Sequence, residues 1–373
     1  MNTNTAPRTK FAGLVEQKKR PKKGLLSFLT TPLEMIFNQE EVEFDLVTSK
    51  RLVAKAKIRN AKSTMNGSEI FKNKTFRPPK YSEARPYVID NFRKRIAGQN
   101  VYSDAEVKAI VMDKTASDVA DLADKVARAK ILQFAYVLQT GKIPFKTKKL
   151  SEKGIIDDLD YECPAGHFSP VSIQWNNTST AKPLDDLEAL SVAIQKSYGE
   201  APDTVIMGNH AFRLFLVTTQ VKNELDNRKI NRGLIIGGQT PDGMEKEGLD
   251  YLGYYIINGK KVGLYSYVDF YIDPLDDTTE KAYIDDYSVV MFHSEARYEV
   301  AYAGIEEILP APAEMRDFLP DSRITSIGTT RASQGFIDTF EDKESKSVYL
   351  RYEEHPLVIP KDYNSFGCLT VKT

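Results

Sequence analysis

The sequence predicts an α+β fold, and three observations lead to this class. Residues 117–141 have the pattern of one long helix, residues 183–319 mix helical and strand-like segments, and further strand-like segments recur towards both ends. The chain has 373 residues, of which 41% are hydrophobic and 28% are charged, as is ordinary for a globular protein. A chain of this length can bury a substantial core, which we expect to be divided between two subdomains.

The first 48 residues are predicted to form an N-terminal arm. Residues 1–24 contain a single acid, Glu16, and few large apolar side chains, so we expect them to be mobile in the isolated chain. An apolar piece at 25–37 would anchor the arm, and VEFDLV at 42–47 alternates like a strand. The arm cations expected to contact a neighbouring subunit or DNA are Lys18, Lys19, Arg20, Lys22 and Lys23.

Residues 49–97 are predicted to be an extended loop that has no core of its own. Between Lys50 and Arg95 there are fourteen lysines and arginines but only three acids. We favour a two-stranded basic ribbon that turns near Asn66-Gly67 over a disordered stretch; because an isolated hairpin is marginally stable, something must support it. The loop cations expected to make this contact are Lys50, Arg51, Lys55, Lys57, Arg59, Lys62, Lys72, Lys74, Arg77 and Lys80.

The long helix is predicted over residues 117–141. Its first half is apolar on one face and carries the acid-before-base pairs Asp121–Lys125 and Asp124–Arg128, each at i,i+4. Its second half is apolar nearly all round, so we expect it to be covered on more than one side. Gly141 is a natural stop. A capping-box spacing at 103–106 predicts a helix start there, and the pattern leaves open whether the two helical segments are continuous.

Strand-like segments with loops follow the helix, and a mixed α/β module begins at residue 183. Its helical stripe over 183–198 ends at Gly199, a buried-type strand at 203–209 leads into a helix capped by Asn209, and strands at 254–257 and 262–274 hinge at Asn258-Gly259. A further strand is predicted at 287–292. We expect this module to close on itself, so that the late strands, at 324–330, 347–352, 357–360 and 368–373, pair with early ones.

Charge is distributed unevenly along the chain. Residues 1–100 carry 21 basic and 9 acidic residues (+12), and residues 101–373 carry 30 basic and 43 acidic residues (−13). This asymmetry indicates either nucleic-acid contact by the front of the chain or docking of the front onto the back of a neighbouring copy, with plain solvated charge as the simplest alternative.

Several classes of protein have no support in the sequence. No run of about 18 apolar residues exists, the lysine-rich N-terminus lacks the apolar segment of a signal peptide, and two cysteines, Cys163 and Cys368, make no disulfide scaffold. Nucleotide-binding and hydrolase motifs are missing, so we expect no enzyme, metal or cofactor. The acidic runs at 157–162 and 273–280 lack EF-hand spacing and are expected to be solvated loops.

Four segments in a fixed order carry a resemblance to a known family. They are FRPP at 76–79, RPYV at 85–88, AYVLQTGKI at 135–143 and FRLFLVTTQVKNELDNRKINRG at 212–233. The chain resembles the lambda-like major capsid protein E family of tailed phages. This resemblance implies the Hong-Kong-ninety-seven-type shell fold: an arm (1–48), an extended loop (49–97), a peripheral domain with the long helix as its spine (98–182), an axial domain (183–319) and returning peripheral strands (320–373).

The function that the resemblance implies is that of a shell subunit. Such subunits would form hexamers and pentamers of an icosahedral head that encloses double-stranded DNA, with non-specific DNA contact on the inner face. Portal, scaffolding and decoration proteins would be partners, the site of assembly would be the host cytoplasm, and neither cofactor nor membrane would be involved. The alternatives are a small nucleic-acid-binding protein that uses the basic front and a hydrolase that uses Asp157, Asp158 or Asp160.

Overall fold

The computed structural model describes residues 21, 24–48, 70–88, 104–145, 158–225, 233–235, 246, 248–310, 326–342 and 347–372. Within these residues the helices are α1 (Asp104–Thr140), α2 (Pro183–Tyr198), α3 (Asn209–Val217) and α4 (Thr219–Leu225). Short 3-10 turns are Leu25–Phe28, Leu33–Met35 and Ala165–His167. None of the described helices combines the length and the apolar character needed to cross a membrane.

Strands make up the rest of the regular structure. In chain order they are β1 (Leu29–Thr30), β2 (Val42–Thr48), β3 (Ile70–Phe76), β4 (Tyr81–Val88), β5 (Lys142–Ile143), β6 (Leu159–Asp160), β7 (Phe168–Pro170), β8 (Thr204–Met207), β9 (Gly233–Ile235), β10 (Asp250–Ile257), β11 (Lys260–Ser266), β12 (Phe270–Ile272), β13 (Glu280–Ala282), β14 (Ser288–Phe292), β15 (Tyr298–Tyr302), β16 (Ile305–Pro310), β17 (Ser326–Arg331), β18 (Phe336–Asp342), β19 (Ser347–Glu354), β20 (Pro356–Pro360) and β21 (Phe366–Thr370).

Helix α1 is continuous, which answers the question that the sequence pattern left open. Its 37 residues span about 55 Å at 1.5 Å per residue. It ends where the sequence predicted, because Gly141 takes a φ of +69° and its N–H donates to the Val137 carbonyl at 2.8 Å. The apolar second half is fully buried, as expected, at Ile131, Phe134, Ala135, Val137 and Leu138.

The central sheet has seven strands in the order β7-β21-β14-β8-β11-β10-β9. The final strand, β21, lies inside this sheet, antiparallel to β14 and parallel to β7. The expectation that the central module closes on itself is therefore wrong, because the C-terminal strand completes it. Strand β20 likewise pairs with β15 of the module, whereas β19 pairs with the early strand β4 as predicted.

Alternate residues of the central strands face two separate cores, since successive side chains of a strand point to opposite faces. On one face Val205, Met207 and Met291 pack in a cluster with residues of α2, α3 and α4 and with Trp175. On the other face Ile206 and Phe292 pack in a cluster with the second half of α1. The sheet is thus covered on one side by three helices and on the other by the end of the long helix.

Three local predictions in this module are tested by the backbone geometry. Asn209 is the first helical residue, and the cap position is occupied by Gly208. A larger residue does not fit at position 208, because an added Cβ would lie 2.3 Å from the Asp285 carbonyl. The predicted single helix is divided into α3 and α4 by Thr218, which has an extended backbone. The predicted hinge at Asn258-Gly259 is confirmed, since both residues have positive φ and join β10 to β11.

The remaining strands form small sheets around this centre. Three-stranded sheets have the orders β1-β15-β20 and β18-β19-β4, and two-stranded ribbons are β2-β3, β5-β6, β12-β13 and β16-β17. Strand β4 lies at an edge of its sheet, next to β19 and against α1, so the exit of the predicted extended loop is attached to the body of its own subunit.

Candidate assembly interface

The root of the extended loop is an antiparallel hairpin made by β2 and β3. The pairing runs from Val42 opposite Phe76 to Thr48 opposite Ile70. The sequence analysis placed β2 in the arm, but its partner is the first described strand of the loop. The turn expected at Asn66-Gly67 lies outside the described residues. The described residues thus contain a hairpin of β2 with β3, and the ribbon over residues 49–97 stays a prediction.

Aromatic packing fixes the hairpin root on the strands that follow α1. Val42 is completely buried, and the Phe76 ring stacks on Phe145 with centroids 5.5 Å apart. The Phe44 ring lies 6.0 Å from Tyr161, which is itself buried. Because rings on both strands pack against the body, the hairpin of β2 and β3 is fixed on its own subunit by apolar contacts.

Lys74 adds a polar contact at the same root. Its Nζ donates to the Asp160 carbonyl at 2.6 Å and lies 2.9 Å from the Glu162 carboxylate. Burial alone would raise the pKa of the Asp160 carboxyl, but hydrogen bonds from Lys142 and from the Glu162 N–H outweigh it and lower the pKa. The described part of the acidic run at 157–162 therefore binds Lys74 of β3 in the same chain.

Arg77 and Lys80 lie beyond β3, where the chain crosses from the hairpin to β4. Arg77 is paired with Glu40 at 2.8 Å, and both side chains are about half exposed or more. Lys80 is paired at 2.8 Å with Glu353 of β19, whose side chain is only 1% exposed. Each of these two loop cations has an acidic partner within its own chain.

Glu353 is the acidic centre of a small buried cluster. Besides Lys80, it lies 3.2 Å from His355 Nε2 and 3.8 Å from Arg351 Nε, and it accepts from the Ser82 hydroxyl. Burial would raise the pKa of the Glu353 carboxyl, but the hydrogen bond and charge of Lys80, together with Arg351 and His355, lower it. The carboxylate is thereby held charged in the interior.

Strand β4 is attached to α1 by contacts from every second residue. Arg85 pairs with Asp118 and, at 3.4 Å, with Asp121. The next contacts along the strand are Glu83 with Lys125 at 2.7 Å and the Tyr81 hydroxyl with Gln133 at 3.0 Å, one or more helical turns further on. The spacing follows because every second side chain of a strand points to one face.

These contacts revise the interpretation of the loop. Lys125 is predicted to pair with Asp121 along the helix, whereas the structure places it against Glu83 of β4. The prediction that all of residues 50–95 lack support in their own chain is wrong for residues 70–88. The error arose because the partners are distant in sequence, and no local pattern pairs a cation with an acid 36 residues away.

Most of the predicted contact residues lie outside the described part of the chain. For Lys72 the structure gives only the backbone of β3, and Lys74, Arg77 and Lys80 are bound within the subunit as described above. The predicted residues outside the description are Lys18, Lys19, Arg20, Lys22, Lys23, Lys50, Arg51, Lys55, Lys57, Arg59 and Lys62.

Groups suited to other chemistry are accounted for by packing in the described residues. The buried Trp175 indole donates to Asp186 at 2.9 Å, and the His167 ring bonds to the Phe366 carbonyl and the Ser197 hydroxyl. Among the described residues no three histidine, cysteine or acidic side chains are grouped to hold a metal ion. The features that stand out in the described residues are thus a long helix, an anchored hairpin and a central sheet.

A comparison with models of protein families identifies the family of this chain. The sequence model of a family described as phage major capsid protein E matches residues 10–371. The chain belongs to this family. A comparison with curated protein sequences finds no match.

The chain is similar to solved structures at low sequence identity, and the first of them shows the fold. A protein assigned as the capsid protein of a prophage in E. coli CFT073 is 15% identical, with a TM-score of 0.53, over 81% of this chain and 80% of that one. A chain of Gordonia phage Cozz is 10% identical, with a TM-score of 0.45, over 98% and 91% of the two chains. A chain of Mycobacterium phage Che8 is 12% identical, with a TM-score of 0.38, over 100% and 99%.

Membership of the phage major capsid protein E family confirms the resemblance drawn from the sequence. The chain is a major capsid protein of a tailed phage, a structural component of the virion that assembles into a multimeric shell. As a structural capsid protein it is not an enzyme, and a small nucleic-acid-binding protein has no support from the comparisons.

Proposed function

We propose that the extended loop of this capsid protein reaches an adjacent subunit and joins hexamers and pentamers into an icosahedral head that encloses double-stranded DNA. The observation that carries this proposal is the anchored root of the ribbon, where Val42 and the stacked Phe76 ring fix two paired strands on the body. The family match supports the shell itself.

The positive charge of residues 49–69, between β2 and β3, supports the proposed contact of this segment with an adjacent subunit. Residues 49–69 carry six basic residues and one acid, Glu69. By contrast, the described cations at the root are already paired within the subunit. The contact with a neighbour therefore rests on the distal cations, Lys50, Arg51, Lys55, Lys57, Arg59 and Lys62.

The physical consequence of such a contact is a closed assembly. A loop on one subunit that meets a different surface of the next makes a heterologous contact, and heterologous contacts close into rings when the rotation allows. Residues 101–373 have an excess of 13 acids, so the basic ribbon meets a body of opposite charge. Complementary charge of this kind sets register and partner choice more than affinity.

The remaining partners are proposed on chemical grounds. The arm cations Lys18, Lys19, Arg20, Lys22 and Lys23 are proposed to contact a neighbour or the phosphates of packaged DNA, which requires no reading of base sequence. Portal, scaffolding and decoration proteins would complete the head, and assembly would take place in the host cytoplasm.

A loop deletion tests the proposal without removing the strands that hold the body together. Residues 50–68 are replaced by a short Gly-Ser linker, which leaves β2, β3 and β4 intact. We expect a folded chain that no longer forms particles in sedimentation and electron microscopy. Normal shells from this variant would contradict the role of the loop.

A set of charge variants separates the effect of the loop's positive charge from the effect of its length. Replacing the six distal cations by glutamine is expected to reduce particle yield, because the complementary charge is lost while the loop length is kept. The matched control replaces Lys50, Lys55, Lys57 and Lys62 by arginine, which retains the charge, and is expected to assemble. Equal particle yields from the glutamine and arginine variants would argue against electrostatic docking.

A further inference from the structure

The two-stranded ribbon of β12 and β13 presents an apolar face to solvent. Its inner side chains, Tyr267 and Tyr271, pack towards Tyr283, with ring centroids 6.2 and 5.0 Å away. The alternate side chains form what we term the outer stripe: Val268, Phe270 and Ile272, which are 38%, 51% and 60% exposed. Three large apolar side chains in a row on one face indicate a surface that something covers.

The outer stripe lies in strongly acidic surroundings. Glu280 of β13 is paired opposite Ile272, so it lies on the same face as the stripe. Residues 268–286 contain seven acids and one lysine, Lys281, which is bound to Asp273. An apolar strip with an acidic border fits a segment that combines apolar and basic side chains.

The described chain begins beside this surface. The backbone at Gly24 runs so close to Tyr267 that an added Cβ would lie 2.6 Å from its ring and 2.8 Å from the Gly248 carbonyl. Tyr267 is the residue immediately before Val268, the first member of the outer stripe. Gly24, the residue that follows the arm in the sequence, therefore contacts the residue adjacent to the first member of the stripe.

The arm has the composition that the stripe would bind. Its first 23 residues include seven basic residues and one acid, and Phe11, Leu14 and Val15 supply apolar side chains. At no more than about 3.4 Å per residue, the nine residues between Leu14 and Gly24 can extend about 30 Å. The stripe spans only five residues, 268–272, of which 270–272 form β12, so it lies well within this reach.

We propose that, in the unassembled subunit, residues 8–23 dock on the outer stripe of the same chain. The apolar residues of the arm cover Phe270 and its two neighbours in the stripe, and the arm cations lie along the acidic border. This docking needs no second subunit, so it stands or falls independently of the shell contact proposed above.

Photo-cross-linking of the full-length chain tests the docking. A photoreactive phenylalanine derivative is placed at position 270, and single chains are isolated by sedimentation before irradiation. The matched control carries the same group at Val217, which is 50% exposed on α3. We expect peptides from residues 8–23 in the cross-linked product at position 270 but not at position 217, with the product running as a single chain on a denaturing gel.

The contribution of the arm's positive charge to the docking is measured by the change in cross-link yield. Reversing Lys18, Lys19, Arg20, Lys22 and Lys23 to glutamate is expected to reduce the cross-link yield several-fold, and 1 M salt is expected to do the same by screening. Cross-links that join two chains, that map elsewhere than the arm or that occur equally at position 217 would overturn the proposal. So would a cross-link yield unchanged by charge reversal.

Discussion

Two segments of helix α1, residues 115–129 (the first half below) and residues 130–140 (the second half), are held in the subunit by different forces. The first half buries Leu122 and Val126 on one side and otherwise meets β4 through charged and polar side chains, chiefly Arg85 with Asp118 and Glu83 with Lys125. The second half is buried nearly all round against the central sheet and the strands that follow it. Water and salt compete with the first kind of contact but not with the second.

This difference in the type of contact implies different structural roles for the two halves of the helix. Burial of apolar side chains stabilises a fold by roughly 1.5–3 kcal/mol for each large residue, whereas exposed ion pairs contribute about 0–1 kcal/mol. The second half therefore fixes the helix to the sheet. The first half carries β4, the exit strand of the extended loop, on contacts that are individually weak and can be adjusted at low cost.

The largest effect is expected from a cavity in the second half. Phe134 is fully buried, and its ring lies 5.1 Å from that of Tyr298. Phe134→Ala should lower the free energy of unfolding by about 3–5 kcal/mol, because both the transferred surface and the packing are lost. The measurement is the denaturant midpoint and slope of the unassembled chain.

The matched control for the cavity lies in the first half. Val119 is half-buried on α1, and Val119→Ala should cost about 1 kcal/mol or less, since less apolar surface is lost. Similar losses from the two variants would remove the contrast between the halves.

An intermediate effect is expected at Glu353, where charge is buried. The lowered pKa of its carboxyl means that the charged form stabilises the fold above the unfolded-state pKa, about 4.5, and that this stability is lost as pH falls through the folded pKa. Glu353→Gln should therefore cost about 1.5–3 kcal/mol at pH 7, the range for hydrogen bonds to charged groups.

The pH dependence separates this charge effect from a change of shape. The difference in unfolding free energy between the parent chain and Glu353→Gln should shrink as pH is lowered below about 4.5, because the protonated parent resembles the variant. Glu40→Gln, at the exposed pair with Arg77, is the control and should differ little from the parent at any pH. A difference at Glu353 that stays constant with pH would point to packing instead.

The contrast between the halves was partly predictable from the sequence. The one-sided and all-round apolar patterns of α1 and its stop at Gly141 are local signals, and the structure confirms them. The partners of the helix charges were not predictable, because Glu83 and Lys125 meet through a strand 42 residues earlier in the chain. The place of β21 was missed for the same reason: its buried residues show that it is a strand but do not identify its neighbours.

The basic loop shows the same limit for the candidate interface. An excess of positive charge and the lack of a local core predict a basic ribbon within residues 50–95; in the described residues, β3 of this segment pairs instead with β2, which precedes it. Composition could not separate the cations that anchor the root, such as Lys74, from those available further along, since both kinds occur in one basic stretch. The two groups of cations can be distinguished only when the positions of their acidic partners in the fold are known.

The smallest effect, and the sharpest test of the first half, is expected at Lys125 and Glu83. Both side chains are about half exposed, so a double-mutant cycle of Lys125→Met and Glu83→Gln should give a coupling of about 0.2–1 kcal/mol at low salt. At 1 M salt the Debye length is about 3 Å, so the coupling should become unmeasurable. A coupling that persists at 1 M salt would mean that β4 is fixed to α1 by contacts that water does not reach, and the exit strand of the loop would then be as rigidly held as the second half of the helix.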